Sequence, residues 1–272
     1  TNRLVGSEMC IRDSLHAEAA YIHELRFQMD EQERGTGSWR THHYAKSRGN
    51  LYPTHGLGPV AQYMNLSRGD DNFKSLVSYS TPAMGRKLYA EKKYSSDHKW
   101  NKLDYNNGDL NTSIIKTTYG KTIMVQWDET SPRPYSRHNL IQGTKGILAG
   151  FPTRVALDGG VEGITKNHHS WAQGDDLEKL YKKYDHPLWK KFESQAEGSG
   201  HGGMDFFILR AFIESLRGAD PVIDVYDSVS MSVVSPLTEK SISRGSAPVK
   251  IPDFTRGNWK TNEPIFGLDN YM

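Results

Sequence analysis

LNTSIIKTTYGKTIMVQWDET (110–130) decides the fold class. Two runs rich in Ile, Val, Thr and Trp flank Tyr-Gly-Lys, the pattern of a β-hairpin. Working outward, HNLIQGTKGILAGF (138–151) repeats the arrangement around Gly-Thr-Lys-Gly, and TRVALDGG (153–160) adds a strand ending in a turn. FKSLVSYS (73–80) is a further strand. LHAEAAYIHELRF (15–27) alternates, with Leu15, Ala17, Ala19, Tyr21 and His23 on one face. Residues 28–51 and 82–109 are polar and read as long irregular connections.

Helical spacing appears elsewhere. Leu57, Val60, Ala61 and Met64 recur at helical intervals over 56–66, and DDLEKLYKKY (175–184) is a second helix. Over 202–218, Met204, Phe207, Ile208, Phe212 and Leu216 share one face, and Gly218 marks the stop. Residues 220–245 read as a helix interrupted by Pro236, and 246–272 as an extended tail. Together these predict an α+β domain: an open, mostly antiparallel sheet with helices on one face.

Composition narrows the function classes. The 272 residues suffice for one large domain, expected over 15–272. A net charge of +2 argues for neither a nucleic-acid nor a membrane surface. No apolar run approaches the roughly 20 residues of a membrane-spanning helix. Cys10 is the single cysteine, so no disulfide framework forms within the chain. Residues 1–14, TNRLVGSEMCIRDS, lack an apolar secretory region and resemble translated sequencing-adapter read-through; they are expected to be a non-native leader.

Several constellations could carry chemistry. In GNLYPTHGLGPVAQYM (49–64), either Pro59 opens a helix capped by Gly58, or Thr54 caps it and Pro59 lies within the first turns. Both place His55 near a helix N-terminus, whose dipole disfavours imidazolium. By pattern alone, a histidine that merely bonds the turn is the simpler reading. Gly56 and Gly58 leave one side of this turn without Cβ atoms, room for a flat group to approach. Trp39-Arg40 offers a ring and an anion or hydroxyl clamp, and Pro132-Arg133-Pro134-Tyr135-Ser136-Arg137 a stiffened binding edge. The pairs His42-His43 and His168-His169, with His201, lack metal-ligand spacing. Asp205 suits the first turn of its helix. The run Gly-Ser-Gly-His-Gly-Gly (198–203) follows no strand, so it fails the dinucleotide-binding test.

AAYIHELR, SWR, SRGNLYPTHGLGPVAQYMN, SPRPYSR, GHGGMDFFILRAFIESL, DVYDSVSMSVVSPLTEKSI and PDFTRGNWK together resemble glycoside hydrolase family 109. This family includes NAD-dependent α-N-acetylgalactosaminidases within the glucose–fructose oxidoreductase/inositol dehydrogenase superfamily. The resemblance runs from Leu15 onward and covers the family's C-terminal α+β domain only. It implies that NAD is bound mainly by an N-terminal Rossmann domain outside this chain, and that the chain alone is inactive.

The implied reaction oxidises the sugar at C3, eliminates at C2 and C1, adds water and reduces the ketone, with retention. Tyr21 and Arg40 then match sugar contacts. Tyr52, Pro53, Thr54 and His55 match the substrate loop, with His55 and Tyr52 catalytic. Tyr135 matches a residue touching both sugar and nicotinamide, Gly56 a second cofactor contact, and His23 a further acid/base candidate. The superfamily often places Asp four residues before its active histidine; here Leu51 stands there, favouring a glycosidase over a sugar or polyol dehydrogenase. A non-catalytic carbohydrate-binding module is the third reading. The implied partners are a glycoside and a second copy meeting through the sheet. Relatives often carry twin-arginine export signals; the compartment here stays open.

Overall fold

The computed structural model describes residues 13–31, 38–161, 163–164, 166 and 169–263. The leader expected at 1–14 therefore lies almost wholly outside the described residues, as does the end of the tail.

The strands are β1 (His16–Ile22), β2 (Phe73–Ser80), β3 (Leu110–Thr117), β4 (Thr122–Asp128), β5 (Leu140–Gln142), β6 (Gly146–Ala149), β7 (Arg154–Leu157), β8 (Ala172–Gln173) and β9 (Val249–Lys250). They form one sheet in the order β8-β7-β6-β5-β1-β4-β3-β2-β9. The opening hairpin is β3–β4, paired from Leu110 opposite Asp128 to Lys116 opposite Thr122. The pairing of β1 with β4 is parallel, Tyr21 opposite Trp127; the other strand pairs run antiparallel. The expected class, α+β with a mostly antiparallel sheet, is the observed one.

The helices are α1 (Ser38–Lys46), α2 (Thr54–Tyr63), α3 (Gly85–Lys93), α4 (Leu177–Tyr184), α5 (Pro187–Ala196), α6 (Met204–Leu216), α7 (Val225–Ser232) and α8 (Val234–Ile242). One core joins Ala17, Ala19, Leu76, Ile115, Ile123 and Val125 of the sheet to Leu57 and Val60 of α2, Leu180 of α4 and Val234 of α8. A smaller cluster of Tyr21, Leu25, Tyr44 and Trp127 extends it beneath α1. The other sheet face leaves Tyr79 and Ile114 exposed.

Three expectations need correction. Residues 28–51 contain α1, and 82–109 contain α3, rather than loop throughout. Each helix buries two residues, Thr41 and Tyr44 or Arg86 and Ala90, too few to print an apolar period. The stripe on α6 is not a buried face: Ile208, Phe212 and Leu216 are 63%, 61% and 72% exposed. The break in 220–245 falls at Val233, which caps both α7 and α8, so Pro236 sits in the first turn of α8 where its missing N–H costs least.

Candidate functional site

The C-terminal end of β1 gathers the sequence-predicted residues. Backbone bonds continue past the strand: His23 N donates to Asp128 O at 2.8 Å and Leu25 N to Glu129 O at 3.1 Å. On the other side, Ile22 and Ser136 exchange two bonds of 3.0 Å, and Ala20 N donates to Arg137 O at 2.8 Å. These fix Tyr135 beside Tyr21 and His23. From the core side comes the loop into α2. Gly49 packs against α8, where an added Cβ would lie 2.5 Å from Thr238 Oγ1. Asn50 N donates to that hydroxyl at 2.9 Å, and Tyr52 N donates to Asn50 Oδ1 at 2.8 Å.

The helix itself starts at Thr54 with Pro53 at the cap, so neither Gly58 nor Thr54 is the capping residue. Pro59 lies inside and cannot donate to the carbonyl of His55 four residues earlier. Gly58 precedes it, the position where a Cβ would crowd the proline ring in helical backbone. The expectation that the glycines open room for a cofactor is corrected for Gly56. A Cβ there would lie 2.3 Å from Ala20 N and 2.5 Å from Ala20 O. Gly56 is glycine because α2 rests on the backbone of β1. Pro53 is buried too, and its carbonyl accepts from Leu57 N at 3.0 Å.

Five rings meet above this crossing. Tyr21 lies 4.9 Å from Tyr52, 4.9 Å from His55 and 6.3 Å from Tyr135, centre to centre. Tyr52 and His55 are 4.6 Å apart, and His23 and Tyr135 5.0 Å. The Tyr21 hydroxyl and His23 Nδ1 are 3.0 Å apart. Arg40 of α1 stacks over Trp39 at 4.6 Å, donates through Nη1 to Gln28 Oε1 at 3.1 Å, and sets Nε 3.4 Å from Glu129 Oε2.

The electrostatics divide the rings into donors and acceptors. Burial pushes the Tyr21 phenol up to about 12, aided by Glu129 and opposed by Arg40. It stays protonated and can donate. Burial lowers His55 to about 4, and the positive potential of Arg137, the neighbouring imidazoles and Arg40 adds to this. The helix dipole acts in the same direction, and burial is the first cause. His23 is lowered as well, by burial and then Arg40; which partner donates across its contact with the Tyr21 hydroxyl is set by the His23 tautomer. Leu51, at the position of the superfamily's Asp, packs against the Tyr21–Trp127 cluster.

Tyr21, His23, Arg40, Tyr52, His55 and Tyr135 thus converge. Arg133 does not; it turns toward Gln126 Oε1 at 3.4 Å. His42 packs on Trp100 and His43 on Trp39, and His201 pairs with Asp205 at 2.9 Å. Among the described residues no three metal-ligating side chains converge. Glu129 was not singled out in the sequence: it reads as a turn residue in WDET, and its side chain meets Tyr44 and Arg40 from a distant part of the chain.

The fold is that of the C-terminal domain of oxidoreductases of the glucose–fructose oxidoreductase/inositol dehydrogenase type. A levoglucosan dehydrogenase in complex with NADH and L-sorbose superposes with a TM-score of 0.60 at 14% identity, over 92% of this chain and 62% of that one. An inositol dehydrogenase homologue from Azotobacter vinelandii, complexed with NAD+, gives 0.54 at 13%, over 90% and 59%. The family model "Glycosyl hydrolase 109, C-terminal domain" matches residues 5–261, and the chain belongs to that family. It is 60% identical to glycosyl hydrolase family 109 protein 1 of Akkermansia muciniphila, over 94% of this chain and 53% of that protein. A Shewanella pealeana family 109 protein is 55% identical, over 92% and 54%. The chain spans about half the length of these curated relatives.

Proposed function

We propose that this chain is the sugar-binding and acid–base part of an NAD-dependent retaining glycosidase acting on α-N-acetylgalactosaminides or related glycosides. One observation carries the reading: a phenol held protonated and an imidazole held neutral lie 4.9 Å apart, ring to ring, at one strand end. Elimination and re-addition at C1 and C2 of a C3-oxidised sugar need a proton acceptor and a proton donor. His55 is the acceptor, for a sugar hydroxyl or the C2 proton. Tyr21 hands its proton to a departing oxygen, and His23 Nδ1 orients that hydroxyl. Tyr52 shares the His55 edge. Arg40 offers its guanidinium to sugar oxygens. Thr54 and Pro53 hold the loop.

NAD, when bound, would supply the hydride acceptor and return the hydride, closing the redox cycle. The described residues fit only its nicotinamide end: Tyr135 presents a ring 39% exposed beside His23. The glycine-rich run at 198–203 follows α5 rather than a strand, so the dinucleotide would be held by protein outside this chain. The outward sheet face bearing Tyr79 and Ile114 is the surface proposed for self-association.

The test joins this chain to the remaining half of the Akkermansia relative. This joined protein should release the aglycone of a chromogenic N-acetylgalactosaminide without net NADH formation. NADH accumulation with no bond cleavage would favour the second reading, a sugar dehydrogenase, which the fold of the levoglucosan dehydrogenase supports. The absent carboxylate at Leu51 speaks against it.

A further inference from the structure

Glu129 follows β4 and is 1% exposed. Its Oε2 accepts from the Tyr44 hydroxyl at 3.3 Å and faces Arg40 Nε at 3.4 Å. Arg86, also 1% exposed, lies over the Tyr44 ring at 4.0 Å and donates to Thr41 Oγ1 at 3.2 Å. Thus one buried carboxylate sits among residues of α1, with a second guanidinium from α3 behind it. Burial raises Glu129 while Arg40 and Arg86 hold it down. An ion pair with one partner buried this deeply seldom adds much net stability, because that charge loses its water. A packing role would be filled better by an apolar side chain.

The geometry points to a different role. Arg40 of α1 also faces the ring cluster, where its charge acts on Tyr21, His23 and His55. Its Nε is turned to Glu129 and its Nη1 to Gln28, which fixes the guanidinium plane. Among the described residues this leaves the Nη2 donors for a ligand. We infer that Glu129 is a positioning residue: its carboxylate holds Arg40 so that the free end of the guanidinium meets an oxygen of the bound sugar. This rests on the reading of Arg40 as a sugar contact. Without the carboxylate, Arg40, whose side chain is 15% exposed, would lose its ion pair and would swing toward water, away from the rings.

The experiment is a double-mutant cycle in the joined protein, with Glu129→Gln, Arg40→Gln and the pair. KM for the chromogenic glycoside and the dissociation constant of free N-acetylgalactosamine, by calorimetry, are read beside the melting temperature. Glu129→Gln should raise both constants roughly tenfold, the scale of one lost charge-assisted hydrogen bond, with kcat changed much less. The double variant should be no worse than Arg40→Gln alone. If the two effects multiply, Glu129 does not act through Arg40 and the inference falls while the site reading stands. If Arg40→Gln leaves both constants unchanged, the reading of Arg40 falls and takes the inference with it. Should Glu129→Gln fail to fold, Glu129→Asp, which keeps the charge and shortens its reach, must show the same rise in KM; an unchanged KM overturns the inference.

Discussion

Gly56→Ala is the sharpest perturbation of the account. In an open helix the change would stabilise by about 1 kcal/mol, through helix propensity and a less free unfolded chain. Here the new Cβ would lie 2.3, 2.5 and 2.8 Å from N, O and C of Ala20. Ordinary contact requires separations about 1 Å longer, and all three atoms are backbone. So α2 must lift from β1 by that amount, or β1 must bend. Overpacking of this kind costs about 1–3 kcal/mol. The lift also costs contacts of Leu57 and Val60, both fully buried, so the net loss should be about 1–2 kcal/mol. In a domain of this size that lowers the melting temperature by roughly 2–8 °C. Circular dichroism melting of the 272-residue chain reads it. Gly58→Ala is the comparison: its Cβ meets Met231 Sδ at an ordinary 3.7 Å and pays only for preceding Pro59. Gly56→Ala should lose more. If it melts at or above the parent temperature, α2 does not rest on β1 as described.

Other predictions concern the rings. His55→Ala in the joined protein should lower kcat by ~10²-fold or more, as for a lost acid–base group; an unchanged kcat would remove His55 from the mechanism. Tyr21→Phe removes the donor while keeping the ring, so kcat should fall with little change in melting temperature. Because the folded-state value of His55, about 4, lies below the ordinary 6.5, the unfolded chain binds the proton more readily between them. Stability from His55 is therefore complete above pH 6.5 and is lost as pH falls from there to about 4. His55→Asn should flatten that part of the melting-temperature curve; an unaltered slope would refute the assignment. By calorimetry, the chain alone should not bind NAD tightly.

The sheet was legible because its signal is local. Alternation and turn glycines wrote β2 to β7 directly into the sequence, and the tertiary structure agreed with them. Helices α1 and α3 were not legible, since what they bury is mainly Tyr44, Arg86 and Ala90, and a buried arginine reads as a surface residue. Stripe and burial parted at α6 because periodicity reports which residues share a face, not whether anything covers it. In the site, pattern alone left His55 an ambiguous turn histidine; family resemblance supplied its neighbours. Gly56 was noticed for the wrong reason, since a missing Cβ looks the same whether a ligand or a backbone occupies the space. Glu129 was invisible, because its meaning depends on Arg40 and Tyr44, which the chain brings to it from another helix.

The central claim is that this ring cluster performs proton transfer at C2 of a sugar rather than direct displacement at C1. The most direct measurement is hydrolysis of a chromogenic N-acetylgalactosaminide by the joined protein in D2O. Released sugar should carry deuterium at C2, NADH should not accumulate, and His55→Ala should lose both cleavage and label. Cleavage that leaves C2 unlabelled would contradict the account.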